Sequence, residues 1–176
     1  MWITRRTLLR YGLVGSVLLA GGALLSTRPT LLRAPGGRLL ALDERSFSVL
    51  AAVADRVAPG GGAFPSATRI RVAEKVDALL ATGDPAQAAE VRQVLLLLDN
   101  ALVGLLLEGR PRTFTSLDPE AQDRVLIAWR DSRLALRRTA YKALVGLCSA
   151  AYYASEEVWP AIGYPGPPDF GQGRAE

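Results

Sequence analysis

The apolar residues of this chain form one short, nearly continuous run and then five stretches with helical spacing. The run spans Tyr11 to Leu25 and is broken only by glycines and Ser16. Beyond it, Phe47, Leu50, Ala51, Val53, Ala54 and Val57 recur at the three-and-four spacing of one helix face. Asp43 stands as N-cap and Glu44 in the first turn, where a carboxylate meets the unpaired amides and the positive end of the helix dipole. Pro59 and the glycines at 60 to 62 stop that helix. The triplet has no following Lys-Ser/Thr and no preceding strand, so it reads as a turn and not as a phosphate loop. A second helix, roughly Ile70 to Ala81, gathers Val72, Ala73, Val76, Leu79 and Leu80 on one side. Thr82-Gly83-Asp84-Pro85 then reads as a stop and a start: glycine after one helix, an Asp cap and a first-turn proline for the next.

The third helix, Pro85 to about Glu108, is the most apolar, with leucines at 95 to 98, at 102 and at 105 to 107. So complete an apolar ring predicts a buried central helix, interrupted by Asp99-Asn100 and Gly104. Asp118-Pro119-Glu120 opens a fourth helix, running to about Asp131 with Val125, Leu126, Ala128 and Trp129 inward. The fifth, about Ser132 to Ala154, carries Leu134, Leu136, Tyr141, Leu144, Val145, Leu147 and Cys148. No segment alternates apolar and polar residues, and β-branched residues are scarce. The expected fold is all-α, an irregular bundle of about five helices around the third. The helical domain covers 42–155, and an extended tail rich in proline, glycine and aromatic residues covers 156–176.

The N-terminal run is preceded by Thr4-Arg5-Arg6-Thr7-Leu8-Leu9-Arg10. An arginine pair ahead of a short apolar segment looks like a twin-arginine signal, the address read by machinery that exports folded proteins. The 15 residues from Tyr11 to Leu25 would make a helix of about 22 Å. A bilayer core needs about 30 Å, so the run suits a signal core better than a permanent span. Small residues that would mark cleavage lie inside the run itself, and Leu32-Arg33-Ala34 is followed by Pro35. Removal of the leader and its retention as a membrane anchor both stay open. Residues 1–26 are thus a signal or anchor segment, and 27–41, with Pro29, Pro35 and Gly36-Gly37, a flexible tether.

Charge changes the picture once it is divided. The net charge of +4 hides five arginines and no acid in residues 1 to 34. Taking those five from the 21 bases leaves 16 against 17 acids, so the domain is nearly neutral and lacks the basic surface of a nucleic-acid binder. With no histidine and one cysteine, the chain has no His-dependent triad and no ligand set for zinc, haem or an iron–sulfur cluster. Cys148 sits among Val145, Leu147, Ala150 and Ala151, the setting of a buried, inert thiol. No catalytic, cofactor-binding or metal-binding residue is assigned.

Two clusters remain. Arg133, Arg137 and Lys142, with Arg138, form a loose basic stripe on the fifth helix, read as a solvated face paired with acids such as Glu120 or Asp131. Glu156-Glu157 is read as a surface pair or a helix cap, since adjacent helical residues point apart. In the tail, Tyr152, Tyr153, Trp159, Tyr164 and Pro165 belong to a proline-stiffened strap. Aromatics on such a strap bury much area at low entropic cost, as a partner-binding edge does. Folding back over the chain's own core is the other use of the same residues.

Several segments, in order, resemble the gluconate 2-dehydrogenase subunit 3 family. They are the twin-arginine leader, the stretch Leu50 to Pro59, Val72-Ala73-Glu74-Lys75-Val76-Asp77, and Phe114 to Leu117 with Arg124-Val125-Leu126. The closing Tyr152-Tyr153, Trp159 and Gly163-Tyr164-Pro165-Gly166-Pro167 complete the series, and the resemblance spans about residues 42 to 168. It implies a non-catalytic small subunit beside a large FAD-dependent subunit of the glucose–methanol–choline oxidoreductase class, often with a cytochrome c subunit. FAD would belong to that partner. The small subunit would help the large one mature and lend it Arg5 and Arg6 for export to the periplasm or the outer face of the cytoplasmic membrane. The alternatives are a membrane-tethered helical binding module without redox work and a small exported enzyme acting alone.

Overall fold

The structure is a computed structural model describing residues 32–100 and 112–167. Among them are five α-helices: α1 (Glu44–Val57), α2 (Val72–Thr82), α3 (Pro85–Leu98), α4 (Pro119–Arg130) and α5 (Ala135–Tyr153). Two 3₁₀ segments, Phe114–Ser116 and Glu156–Ile162, flank the last pair. The described residues form no extended sheet, only an isolated bridge between Gly61 and Phe64. The all-α bundle expected from the spacing is what the chain adopts.

Three helix starts follow from their caps. Asp43 accepts from the Ser46 amide at 2.8 Å, Asp84 from Ala86 at 2.8 Å and Asp118 from Ala121 at 2.8 Å. Each cap satisfies one of the amides that the first turn leaves unpaired. Pro85 and Pro119 follow directly, where their missing N–H costs nothing. The glycine triplet is a turn: Gly61 and Phe64 exchange backbone bonds of 2.9 and 3.0 Å. Gly60 has φ +80°, and a Cβ there would lie 2.8 Å from the Ser66 amide nitrogen.

The centre of the bundle is α1, not the third helix. Phe47, Val49, Leu50, Ala52, Val53 and Ala54 are buried, as are Ser46 and Ser48, so α1 is covered on most of its circumference. It packs against α2, α3, α4, α5 and the first 3₁₀ turn. In α3 only Ala88, Leu95 and Leu98 are buried, while Leu96 and Leu97 are 36% and 41% exposed. The helix also stops early. Asp99 is its C-cap, fully buried, accepting from the amide and the hydroxyl of Thr115 at 3.1 and 3.0 Å and facing Arg45 at 3.6 Å. A buried carboxylate held this way ends the α3 segment, and the leucines expected beyond it, in 101–108, lie outside the described residues.

The stretch expected to be a loose tether is bound from Arg33 onward. The Arg33 amide donates to Ser48 Oγ at 2.8 Å, and its guanidinium pairs with Asp55. The Gly36 amide reaches Glu74 Oε1 at 3.3 Å. Asp77, only 3% exposed, then takes three consecutive amides: Leu40 at 2.7 Å, Ala41 at 3.0 Å and Leu42 at 2.8 Å. Residues 33–42 therefore form a strap along α1 and α2. Arg5, Arg6 and the apolar run lie outside the described residues. Among those described, no helix is long and apolar enough to cross a membrane.

Candidate partner-binding surface

The tail departs from an extended strand because Ser155 starts a 3₁₀ segment that needs nothing from its proline. The Val158 amide bonds to the Ser155 carbonyl at 2.9 Å, Gly163 to Pro160 at 3.3 Å and Tyr164 to Trp159 at 2.9 Å. Pro160 contributes only its carbonyl, so its missing N–H breaks no bond. Gly163, at φ +68°, turns the chain back on itself. Ser155 is buried, donating to the Ala151 carbonyl at 3.0 Å and accepting from Lys75 Nζ at 2.6 Å.

This geometry divides the five aromatic-strap residues. Tyr152 is a core residue of its own bundle: it is 5% exposed, and its hydroxyl donates to the Pro65 carbonyl at 2.8 Å. Its place on an outward-facing edge is thereby corrected. Burial, with a smaller contribution from Tyr153, raises the pKa of its phenol. Val158, fully buried, anchors the returning chain beside it. Trp159 is half-buried and is braced twice. Its indole N–H donates to the Tyr153 carbonyl at 3.1 Å, and its ring meets Tyr164 edge-to-face at 5.2 Å. A Cβ on Gly166 would lie 3.5 Å from the same ring. Tyr153, Ile162 and Tyr164 remain 53%, 43% and 43% exposed, and Pro165 is exposed beside them. Rigid aromatics held out by a folded support lose little side-chain freedom when a partner covers them.

Among the described residues no group of His, Cys, Asp or Glu could hold a metal ion. Glu157 faces Arg69 at 3.4 Å in an exposed pair. Burial pushes the Cys148 thiol up to about 12, so no appreciable thiolate forms near neutral pH. The basic stripe does not pair as expected. Asp131 is engaged by Arg130 through bonds of 2.9 and 3.0 Å, which raise the arginine's pKa and lower that of the carboxyl. No acid among the described residues pairs with Arg133, Arg137 or Lys142. Sequence reasoning also passed over an open apolar groove of about 350 Å³ between α3 and α5, walled by Val94, Leu97, Leu136, Ala140 and Ala143. Its signal was present in the excess of leucines on α3, more than one contact face can bury.

No curated protein and no solved structure matches the chain. A family model described as gluconate 2-dehydrogenase subunit 3 matches residues 44–166. That match begins at the first residue of α1 and closes at Gly166 under the Trp159 ring, so the chain belongs to the gluconate 2-dehydrogenase subunit 3 family, accessory subunits of a dehydrogenase complex.

Proposed function

We propose that this chain is the non-catalytic small subunit of an exported dehydrogenase, and that it escorts and stabilises a large FAD-dependent subunit. The observation that carries this reading is the outward patch of Tyr153, Ile162 and Tyr164, braced by Trp159 at the end of the family match. A patch so supported suits a lasting contact with another folded protein. Arg5 and Arg6 supply the export address for both chains, because a flavoprotein loaded with its cofactor inside the cell must leave folded. The destination is the periplasm or the outer face of the cytoplasmic membrane. A cytochrome c subunit would be a further member of the complex.

The test replaces both arginines, Arg5→Lys with Arg6→Lys, and follows by cell fractionation this chain and the flavoprotein that co-purifies with it. Both chains should accumulate in the cytoplasm. Undiminished export of the flavoprotein would refute the escort role. Flavin absorbance or turnover in the purified single chain would establish the stand-alone enzyme instead.

A further inference from the structure

We infer that Lys75 is the positioning residue of the aromatic patch. Its ammonium reaches from α2 to the buried Ser155 hydroxyl, fixing the direction in which the chain leaves α5 and so the face that Ile162 and Tyr164 present beside Tyr153. This rests on the small-subunit reading and adds to it how the contact surface is held. Four bonds meet at Ser155. Its amide bonds to the Tyr152 carbonyl at 3.0 Å and its carbonyl accepts from the Val158 amide at 2.9 Å. Its hydroxyl donates to the Ala151 carbonyl at 3.0 Å and accepts from Lys75 Nζ at 2.6 Å. The first three lie within four residues along the chain, so they close the turn without orienting it against the rest of the bundle. The fourth comes from 80 residues away. Among the described residues one other polar contact joins the segment 155–164 to anything outside α5, the pair Glu157 and Arg69. Those side chains are 54% and 72% exposed, and a pair so open to water holds little. A charge-assisted bond onto a buried oxygen holds more.

A serine beside a lysine invites comparison with a nucleophile and its base, and the geometry argues otherwise. A nucleophilic serine must hand its hydrogen to the base. A carbonyl only accepts, so the Ser155 hydrogen lies on Ala151, and the Lys75 ammonium is a donor to the same oxygen. Ser155 is also only 4% exposed, which closes it to a substrate. The pair is a brace. The same turn of α2 moors the N-terminal strap through different side chains, Glu74 on the Gly36 amide and Asp77 on the amides of Leu40 to Leu42. Strap and aromatic segment are thus fastened side by side but by separate bonds, and one can be released without the other.

The experiment has two readouts on the tagged full chain. Hydrogen exchange follows the amides of Val158, Gly163 and Tyr164, which are bonded within the segment. Flavin absorbance per purified tagged chain follows the flavoprotein it retains. Lys75→Met keeps the apolar stem and removes the donor. It should speed exchange at those three amides at least ~10-fold, while Leu40 to Leu42 and the amides of α1 stay as protected as in wild type. Retained flavin should fall with it, because a loosened patch must be ordered again on binding. Ser155→Ala should act likewise, with Lys75→Met adding nothing on top of it, and Arg69→Gln should leave both readouts unchanged. Unchanged exchange in Lys75→Met overturns the assignment. So does a loss of protection that spreads equally to α1, which would make Lys75 a general stabiliser of the bundle. Faster exchange with undiminished flavin also overturns it, since the contact would then not need the brace. If the wild-type chain carries no flavoprotein, the small-subunit reading itself fails, and exchange alone still decides whether Lys75 holds the segment.

Discussion

Asp77 offers the most direct check on how the bundle holds its N-terminal strap. Its Oδ1 accepts from Ala41 and Leu42 at 3.0 and 2.8 Å, and its Oδ2 from Leu40 at 2.7 Å. Asp77→Ala removes both acceptor oxygens and so all three bonds. The Leu42 amide is buried with its partner, so its full desolvation penalty of about 2 kcal/mol appears. Ala41 is half-buried and adds about 1 kcal/mol, while exposed Leu40 finds water and adds little. The expected loss is about 3 kcal/mol, a large part of the marginal stability of a domain this size. Asp77→Asn can keep its carbonyl oxygen where Oδ1 stands, retaining Ala41 and Leu42; losing Leu40 adds little, and exchanging a charged for a neutral acceptor costs about 1 kcal/mol. Urea unfolding of the purified chain measures both variants, and hydrogen exchange at residues 40–42 reports the local effect. A Leu40-to-Leu42 segment equally protected in wild type and Asp77→Ala would refute the argument. So would an Asn variant as damaged as the Ala one.

Two further outcomes follow from Cys148 and from the Gly60 turn. Cys148, with its thiol raised from 9.0 to about 12 by burial, should resist thiol reagents at pH 8 in the native chain and react at an ordinary rate in denaturant. A folded-state pKa above the unfolded one stabilises below pH 9 and is lost as pH rises towards 12. Wild type should therefore lose stability relative to Cys148→Ala over that window, by up to ~1.4 kcal/mol per pH unit; parallel curves would show that the thiol is accessible. Gly60→Ala places a Cβ against the Ser66 backbone at a positive φ, and should lower stability by at least ~1 kcal/mol in the same urea assay; an unchanged midpoint would count against the turn geometry.

The helix starts were legible because a cap is a local device. Asp43, Asp84 with Pro85, and Asp118 with Pro119 each act within three residues, so their meaning needs no tertiary context. Which helix would be central was not legible. Leucine density pointed to α3, but burial depends on how many neighbours a helix can touch, and the alanine-rich α1 lets four helices approach it closely. The excess leucines of α3 were left to form a groove wall. Asp77 and Asp99 look like interruptions of apolar faces in sequence, and only the amides of Leu40 to Leu42 and Thr115, distant along the chain, give them a purpose. The aromatic strap was half legible. Its composition allowed either a partner-binding edge or a cover for the chain's own core, and which way a given ring faced was decided by the end of α5 and the 3₁₀ turn after it, which leave Tyr152 and Val158 buried and Tyr153 and Tyr164 exposed.

The strap also sets a leash length. Between Leu25, the last residue of the apolar run, and Arg33, where the bundle takes hold, lie residues 26–32, a reach of at most about 27 Å. Were the mooring to begin at Asp43 instead, the same leader could stand off by about 60 Å. Under the export reading proposed above, whatever held the first 25 residues would have to work close against the α1–α2 flank of the bundle.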